Sequence, residues 1–345
     1  MCRQIRSSGM SPKSVKIIAE AGVNHNGSLE IAKQLIDSAA DSGADFVKFQ
    51  TFRAEALVTR SAKKAEYQLR QPYGDDNQLE MLKSYEIDQA GHVDLIQHCQ
   101  VRGIKFLSSP FDLQSIDLLV DLGIQIIKIP SGEITNKPYL IHVARQGKPV
   151  VLSTGLSSLD EVSEAVRILV TNGLAEEGIT LLHCNTQYPT PIDEVNLRAM
   201  VSMKSALGVA IGLSDHTEGI TTPIAAVALG ACVIEKHLTL DKALVGPDHA
   251  ASLTPDKFRE MVSSIRDVER AMGDGIKRPS SGELKNLFAV RKSIVASRTI
   301  SAGDLFSSEN LAVKRPGSGI SPMEWENVVG TRAKWGFEID ELIRV

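Results

Sequence analysis

In VIEKHLTLDKALVGPDH, residues 233–249, two apolar residues are followed at once by Glu235, Lys236 and His237, and a glycine-proline turn then leads to Asp248 and His249. The same kind of ending recurs along the chain. Glu20 closes KIIAEAG, Lys48 and Gln50 close DFVKFQ, and Ser108 and Ser109 close KFLSSP; Lys128 and Ser131, Ser153 and Thr154, Asn185, then Asp215 and His216 close later apolar runs. Lys48 and Lys128 sit within apolar runs, where an ammonium is costly unless it meets an anion, so together they imply a dianionic ligand carrying phosphate or carboxylate. The alternative is snorkelling, or pairing with Glu20 and Glu133. SGE at 131–133 and STG at 153–155 offer hydroxyls and glycine-freed amides, the parts of an anion nest. His216 and His237 end consecutive runs, so as neighbouring strands they would lie about 4.8 Å apart. Two neutral imidazoles there can share a divalent metal, manganese, cobalt or zinc in preference to calcium, or can act as hydrogen-bond donors. Glu20 is either a proton-shuttling base or a salt-bridge partner of Lys48. His183, inside LLHC, reads as a satisfied core histidine.

These residues need elements that bring them together. KIIAEAG, DFVKFQ, KFLSSP, IQIIKIPSG, PVVLSTG, ITLLHCN, GVAIGLSDH and CVIEKH alternate with amphipathic stretches such as SLEIAKQLIDSAADSGA, with Ser28 as N-cap, and SSLDEVSEAVRILVTNG. Strand followed by helix, repeated, predicts a parallel sheet with right-handed crossovers. Eight units over roughly 260 residues match an α/β fold of the (β/α)8 TIM-barrel type. An open doubly wound sheet is the alternative, but no GxGxxG follows the first strand. In a barrel the strand ends converge on one rim, where this fold builds its enzymatic sites. The connection from Thr51 to about Asp88 is long, as for a substrate-covering loop.

Four pieces are expected: an extension over residues 1–14, a barrel over 15–272, a turn-rich linker over 273–285 and a small β-rich domain over 286–345. The small domain has a thin core and should lean on the barrel or on another subunit. The 345 residues are 43% hydrophobic and 23% charged with a formal net charge of −4, ordinary values for a globular protein. The charges are interspersed, with no basic stripe or acidic tail, so neither nucleic acid nor an anionic membrane is an expected partner. The four cysteines show no CxxC spacing, which fits reduced thiols and a cytoplasmic protein. No apolar run reaches the ~18 residues of a membrane span.

IAEAGVNHNGS, VKFQTF, SSPFD, IPSGEITNKPYL, STG, HCNTQYPTP, LSDHT, IEKHLTLDK, GPDHAAS and KRPGSGISPMEW, in that order, resemble the bacterial sialic acid synthases, the N-acetylneuraminate synthase family. The resemblance runs from about Val15 almost to the C-terminus, and the small domain resembles that family's antifreeze-like SAF domain. It implies condensation of phosphoenolpyruvate with N-acetylmannosamine and water to give N-acetylneuraminate and phosphate. A divalent metal is implied, manganese first, with magnesium or cobalt as alternatives, and so is a domain-swapped homodimer. It further implies that Lys48, Lys128, Ser131, Ser153 and Ser214 contact phosphoenolpyruvate, and that Gln50, Ser109, Tyr188, Glu235 and Asp248 contact the sugar. Arg315 would reach over from the partner subunit, His216 and His237 would bind the metal, and Glu20 would be the acid/base. Asn185 and Thr186 are both candidates for one phosphate or metal contact. Legionaminate and pseudaminate synthases share this framework, and an N,N'-diacetyllegionaminate or pseudaminate synthase using a diacetamido-trideoxy sugar is the alternative. HCNTQYPTP leans towards the sialic branch.

Two other classes are disfavoured. A metal-dependent barrel hydrolase usually wants an HxH pair on its first strand, and AEAGVNHNG has none. A carbohydrate- or ice-binding scaffold would leave both lysines and both histidines without a purpose.

Overall fold

The computed structural model describes residues 14–63 and 77–345. The expected N-terminal extension, but for its last residue, lies outside the described residues, as does the middle of the long connection after Thr51. Among the described residues, each of the eight apolar runs contains a strand. These are β1 (Lys16–Gly22), β2 (Phe46–Thr51), β3 (Lys105–Pro110), β4 (Ile127–Ile129), β5 (Val150–Ser153), β6 (Ile179–Cys184), β7 (Ala210–Asp215) and β8 (Val233–His237). Their order in the sheet is β3-β2-β1-β8-β7-β6-β5-β4 and the laddered neighbours all run parallel. β3 and β4 also lie side by side without a continuous ladder, so the barrel is nearly closed. The open doubly wound alternative is thereby excluded, because β1 sits between β2 and β8.

The helices form where capping and periodicity agree. Ser28 accepts the Ile31 N–H at the start of Leu29–Asp41, whose Ala32, Leu35, Ile36 and Ala39 recur at helical spacing and are buried. Ser158 and Glu161 close a reciprocal capping box at the start of Leu159–Thr171. Helix faces and the outward side chains of the strands make two large apolar clusters around the sheet. A third fills the lumen at the end where the strands begin, with Ile18, Phe46, Leu107, Val151, Leu182 and Val233 packed against Ile126.

Among its described residues the long connection carries two short helices, Ala54–Leu57 and Gln78–Lys83, and packs Val23, Phe52, Leu79, Leu82 and Tyr85 into a satellite cluster. It re-enters the barrel at Asp88, which caps the helix Gln89–Arg102. Behind β2 and β3, Thr51 Oγ1 meets Ser108 Oγ at 2.7 Å and His92 Nε2 at 2.8 Å, tying that helix to both strand ends.

The chain divides into two compact units, one ending at Gly273 and one over Asp274–Val345. In the second, β9 (Ser293–Ala296) and β10 (Leu311–Lys314) pair antiparallel over a small core including Ile294, Phe306, Leu311 and Phe337. No helix among the described residues is long and apolar enough to cross a membrane.

Candidate active site

Strand alternation builds the site. Two residues beyond each member of the apolar lumen plug, the side chain on the same face is polar: Glu20 follows Ile18, Lys48 follows Phe46, Ser109 follows Leu107 and Lys128 follows Ile126. Ser153, Cys184 and Glu235 follow Val151, Leu182 and Val233 in the same way. β7 supplies Ser214, then His216; β2 adds Gln50 and β8 adds His237. All of these line one cavity of about 620 Å³. Ser131, Thr186, Tyr188 and Asp248 line it too. The sequence-predicted residues therefore converge, apart from Asn185 and Arg315.

At the floor, two lysines and two glutamates are interleaved. Lys48 Nζ lies 2.7 Å from Glu20 Oε2 and 3.7 Å from Glu235 Oε1, and donates to Ser109 Oγ at 3.0 Å. Lys128 Nζ donates to Ser153 Oγ at 2.6 Å and lies 3.8 Å from Glu235 Oε1, which also accepts from Ser214 Oγ at 3.0 Å. The salt-bridge alternative for Glu20 and Lys48 is thus realised, while Lys128 faces Glu235 rather than Glu133. Glu133 instead accepts from Asn136.

Burial sets the protonation states. It pushes Glu20 up to about 7, with Lys48 only partly opposing it. Burial also works against ionised Glu235, but Lys128 and Lys48 together outweigh it and hold that carboxyl below its usual range. Burial lowers Lys128; for Lys48, Glu20 and Glu235 overcome the same cost and raise it. Near neutral pH the floor sets Lys48, held charged, and the buried Lys128 amine against one firm carboxylate and one half-titrated one. An anion entering this water-poor space would meet both lysines and favour their charged forms.

The backbone must come close for this to work. Gly22 has φ +53°, and a Cβ there would stand 3.2 Å from Glu20 Oε1. Gly155 donates its N–H to Ser131 Oγ, and a Cβ in its place would lie 2.7 Å from the Thr186 methyl. Ser131 Oγ also meets Cys184 Sγ at 3.6 Å, which ties the SGE and STG turns to the end of β6.

The imidazole rings of His216 and His237 lie 5.3 Å apart, centroid to centroid. Burial holds His216 at about 4, and burial with the neighbouring His216 holds His237 well below the usual imidazole range, so both are neutral. His216 Nδ1 faces the Asn185 carbonyl at 2.5 Å. That contact fixes Nδ1 as the protonated nitrogen and leaves Nε2 with its lone pair. His237 Nδ1 is buried without a hydrogen-bond partner, 3.7 Å from Asp248 Oδ2. Burial raises Asp248 to about 6. Tyr188 covers the pair, 4.1 Å from the His216 ring and edge-on to His237 at 5.7 Å. Two neutral nitrogen donors, one in a fixed tautomer, fit a divalent ion whose other positions are filled by water or substrate oxygen. Among the described residues no group of three or more His, Cys, Asp or Glu side chains could cage a metal by itself.

Asn185 stands apart. Its Oδ1 accepts the Gln187 N–H and its side chain faces a second cavity of about 630 Å³ with His183 and Arg198. What it gives the site is its carbonyl, on His216. Of the two candidates for the shared contact, Thr186 lines the main cavity. His183 binds the Val195 carbonyl at 2.6 Å, as expected of a satisfied histidine. Arg315 lies in the second compact unit, exposed, with Nε donating to the Val290 carbonyl.

Sequence reasoning missed Cys184 and the apolar wall of the cavity, which the long connection builds from Leu57, Val58, Met81, Leu82 and Tyr85. Cys184 could have been found by counting two residues on from Leu182. The wall carries no such signal, since apolar residues in a loop read as packing.

The NeuB family profile matches residues 35–277, and the SAF domain profile matches residues 291–344. The chain is 54% identical to the N,N'-diacetyllegionaminic acid synthase of Campylobacter jejuni, over 96% of this chain and 99% of that one. It is 48% identical to the enzyme of the same name from Legionella pneumophila, over 92% and 89% of the two chains. Among solved structures, the N-acetylneuraminic acid (sialic acid) synthetase of Leptospira borgpetersenii in complex with citrate is similar with a TM-score of 0.69 at 34% identity, covering 79% of this chain and 90% of that one.

Proposed function

Because the chain belongs to the NeuB family of phosphoenolpyruvate-dependent nonulosonic acid synthases, we propose that it condenses phosphoenolpyruvate with a diacetamido-trideoxy sugar and water, giving N,N'-diacetyllegionaminate and phosphate. The observation that carries the acceptor is the 54% identity to a legionaminic acid synthase along nearly the whole chain, against 34% to the sialic acid synthetase structure. This moves the reading from the sialic branch, to which HCNTQYPTP pointed, to its alternative. The reason is physical: Thr186 and Tyr188 in that stretch lie at the strand-end and imidazole side of the cavity, so they say little about the acceptor's far end. The apolar wall supports the same reading. A sugar without a C6 hydroxyl and with a second acetamido methyl offers it more apolar surface than N-acetylmannosamine does.

In this mechanism Lys48 and Lys128, with the hydroxyls of Ser131, Ser153 and Ser214, receive the phosphate and carboxylate of phosphoenolpyruvate. Gln50, Ser109, Glu235 and Asp248 orient the open-chain sugar, and Tyr188 packs beside it. C3 of the enol attacks the aldehyde carbon, forming the new C–C bond; water then adds at C2 and the C2–O–phosphate linkage collapses to release phosphate. Glu20, with a pKa of about 7, takes a proton from the water and returns one to the developing alcohol. The lysines stabilise charge on the departing phosphate. A divalent ion held by His216 and His237, manganese or else magnesium or cobalt, would supply Lewis acidity towards the aldehyde oxygen. Residues 286–345 serve as a cap in a domain-swapped homodimer, with Arg315 reaching the partner subunit's sugar.

The test is an acceptor panel read by phosphate release. We expect kcat/KM about tenfold or more higher for the 2,4-diacetamido-2,4,6-trideoxy acceptor than for N-acetylmannosamine. Equal or better use of N-acetylmannosamine would return the chain to the sialic branch. Release with no sugar present would refute the order of steps, and chelation should abolish release until manganese is restored.

A further inference from the structure

The outward faces of β7 and β8 are apolar along most of their length: Ile211, Leu213 and Ile234 join the core between sheet and helices. The last outward pair is not. Asp215 and Lys236 are register partners, and their side chains are 1% and 0% exposed. Lys236 Nζ donates to Asp215 Oδ2 at 2.5 Å and to the Thr217 carbonyl at 2.5 Å. The Thr217 N–H donates to Asp215 Oδ1 and the Thr217 hydroxyl to Asp215 Oδ2, both at 3.0 Å.

A buried ion pair is a poor way to gain stability, since an apolar pair of equal volume commonly does as well or better. Unlike an apolar contact, however, it is directional and fixes distances. What it fixes here is plain from the sequence. Asp215 precedes His216, Thr217 follows it, and Lys236 precedes His237. The network grips the backbone on both sides of one imidazole and next to the other, across the gap that separates them. β7 and β8 cannot spread at this end without breaking it.

We propose that the Asp215–Lys236–Thr217 network is a positioning device that sets the spacing of His216 and His237 for a divalent cation. The proposal rests on the reading of those two histidines as cation ligands. It assigns no catalytic role to the three residues, which touch no substrate and act through the imidazoles.

Full-length metal-free protein is titrated with manganese(II), its cobalt(II) absorption spectrum is recorded, and its melting temperature is measured without metal. Lys236→Met and Thr217→Val should each weaken manganese binding by about tenfold or more and shift the cobalt band. Thr217→Ser, which keeps the hydroxyl, should restore both. Leu140→Ala, in the core on another side of the barrel, should melt lower yet bind manganese as the parent does. If Lys236→Met does not fold, Thr217→Val decides, being nearly isosteric. Wild-type affinity and spectrum in Thr217→Val, or a loss that merely tracks melting temperature, would overturn the proposal. A His216→Ala protein that still binds manganese at wild-type strength would instead overturn the ligand reading, and the proposal with it.

Discussion

The lumen of the barrel holds two layers made by the same strands one pleat apart, and they differ in every physical respect. In the lower layer Ile18, Phe46, Leu107, Val151, Leu182 and Val233 fill the space with hydrocarbon. β7 contributes no side chain there: a Cβ on Gly212 would lie 2.3 Å from the Val233 carbonyl and 2.7 Å from Leu182, which takes its volume. In the upper layer the same strands present Glu20, Lys48, Ser109, Lys128, Ser153, Ser214 and Glu235, all buried and all costly to bury. The lower layer secures the ring and the upper one uses that rigidity to hold charges against an open cavity. A step of two residues along a strand, about 6.6 Å, separates packing from chemistry.

The sharpest way to test that division is to move one residue type upward. Lys128→Met puts lower-layer chemistry into the upper layer, and kcat/KM for phosphoenolpyruvate should fall by about 10²–10³-fold. The melting temperature should hold or rise, because a desolvated amine is removed while Lys48 still faces Glu235. A variant that melted well below the parent and kept its activity would invert the assignment.

The reverse case is Leu182→Ala. A fully buried lower-layer leucine is truncated, and about 2–5 kcal/mol of stability should be lost in denaturant unfolding. Steady-state kcat, measured where the variant remains folded, should stay within a few-fold of the parent. A collapse of kcat would mean that the layers are not separable.

Titration gives a third and subtler contrast, because only the upper layer responds to pH. The Glu20 carboxyl rises from 4.5 to about 7 on folding, chiefly through burial. A raised acid stabilises the fold fully below its unfolded pKa, and that contribution is lost as pH rises through the folded pKa. Relative to Glu20→Gln, the metal-free parent should therefore lose stability between pH 4.5 and 7 and change little above. At about 1.4 kcal/mol per unit the loss is at most about 3–4 kcal/mol. His25 and His216, both held at about 4 by burial, act the other way: their contribution is present above 6.5 and lost as pH falls towards 4. They are common to both proteins and cancel in the difference. Melting curves of the pair across pH 5–8 decide it, and a constant difference would show that Glu20 is not the titrating group.

The two layers also explain what was legible in the sequence. Strand-helix alternation gave the barrel, and polar residues closing apolar runs gave the upper layer, because period-two alternation carries a residue's side of the sheet directly into the sequence. Lys236 and Asp215 escaped for the same reason. They looked like part of the site by proximity, yet odd and even positions on a strand face opposite ways, so they fell outside the ring. Asn185 misled similarly: its side chain points away and its carbonyl makes the contact, a role any residue type could fill. The apolar wall was unreadable, since Leu57, Met81 and Leu82 become a cavity surface only through how the connection after β2 folds back. The proposed acceptor is read partly from that wall, and the 54% identity to a legionaminic acid synthase favours the alternative over the branch towards which the motif leaned.

Arg315 belongs to neither layer, and it sets the lower bound of the scale. It is exposed, and the hydrogen bond from Nε to the Val290 carbonyl stays within the second compact unit. Nothing in its surroundings supports a core, so Arg315→Ala should change unfolding free energy by no more than about 0.5 kcal/mol. If the residue reaches the partner subunit's cavity, the same change removes a charged donor from the acceptor alone. The KM for the sugar should then rise several-fold while the KM for phosphoenolpyruvate stays put. Mixing Arg315→Ala with Lys128→Met protein sharpens the point. A swapped dimer pairs an intact barrel with an intact arginine in one of its two sites, so the mixture should regain normal sugar affinity in its active fraction. A mixture whose sugar KM stays at the Arg315→Ala value would confine the arginine to its own subunit.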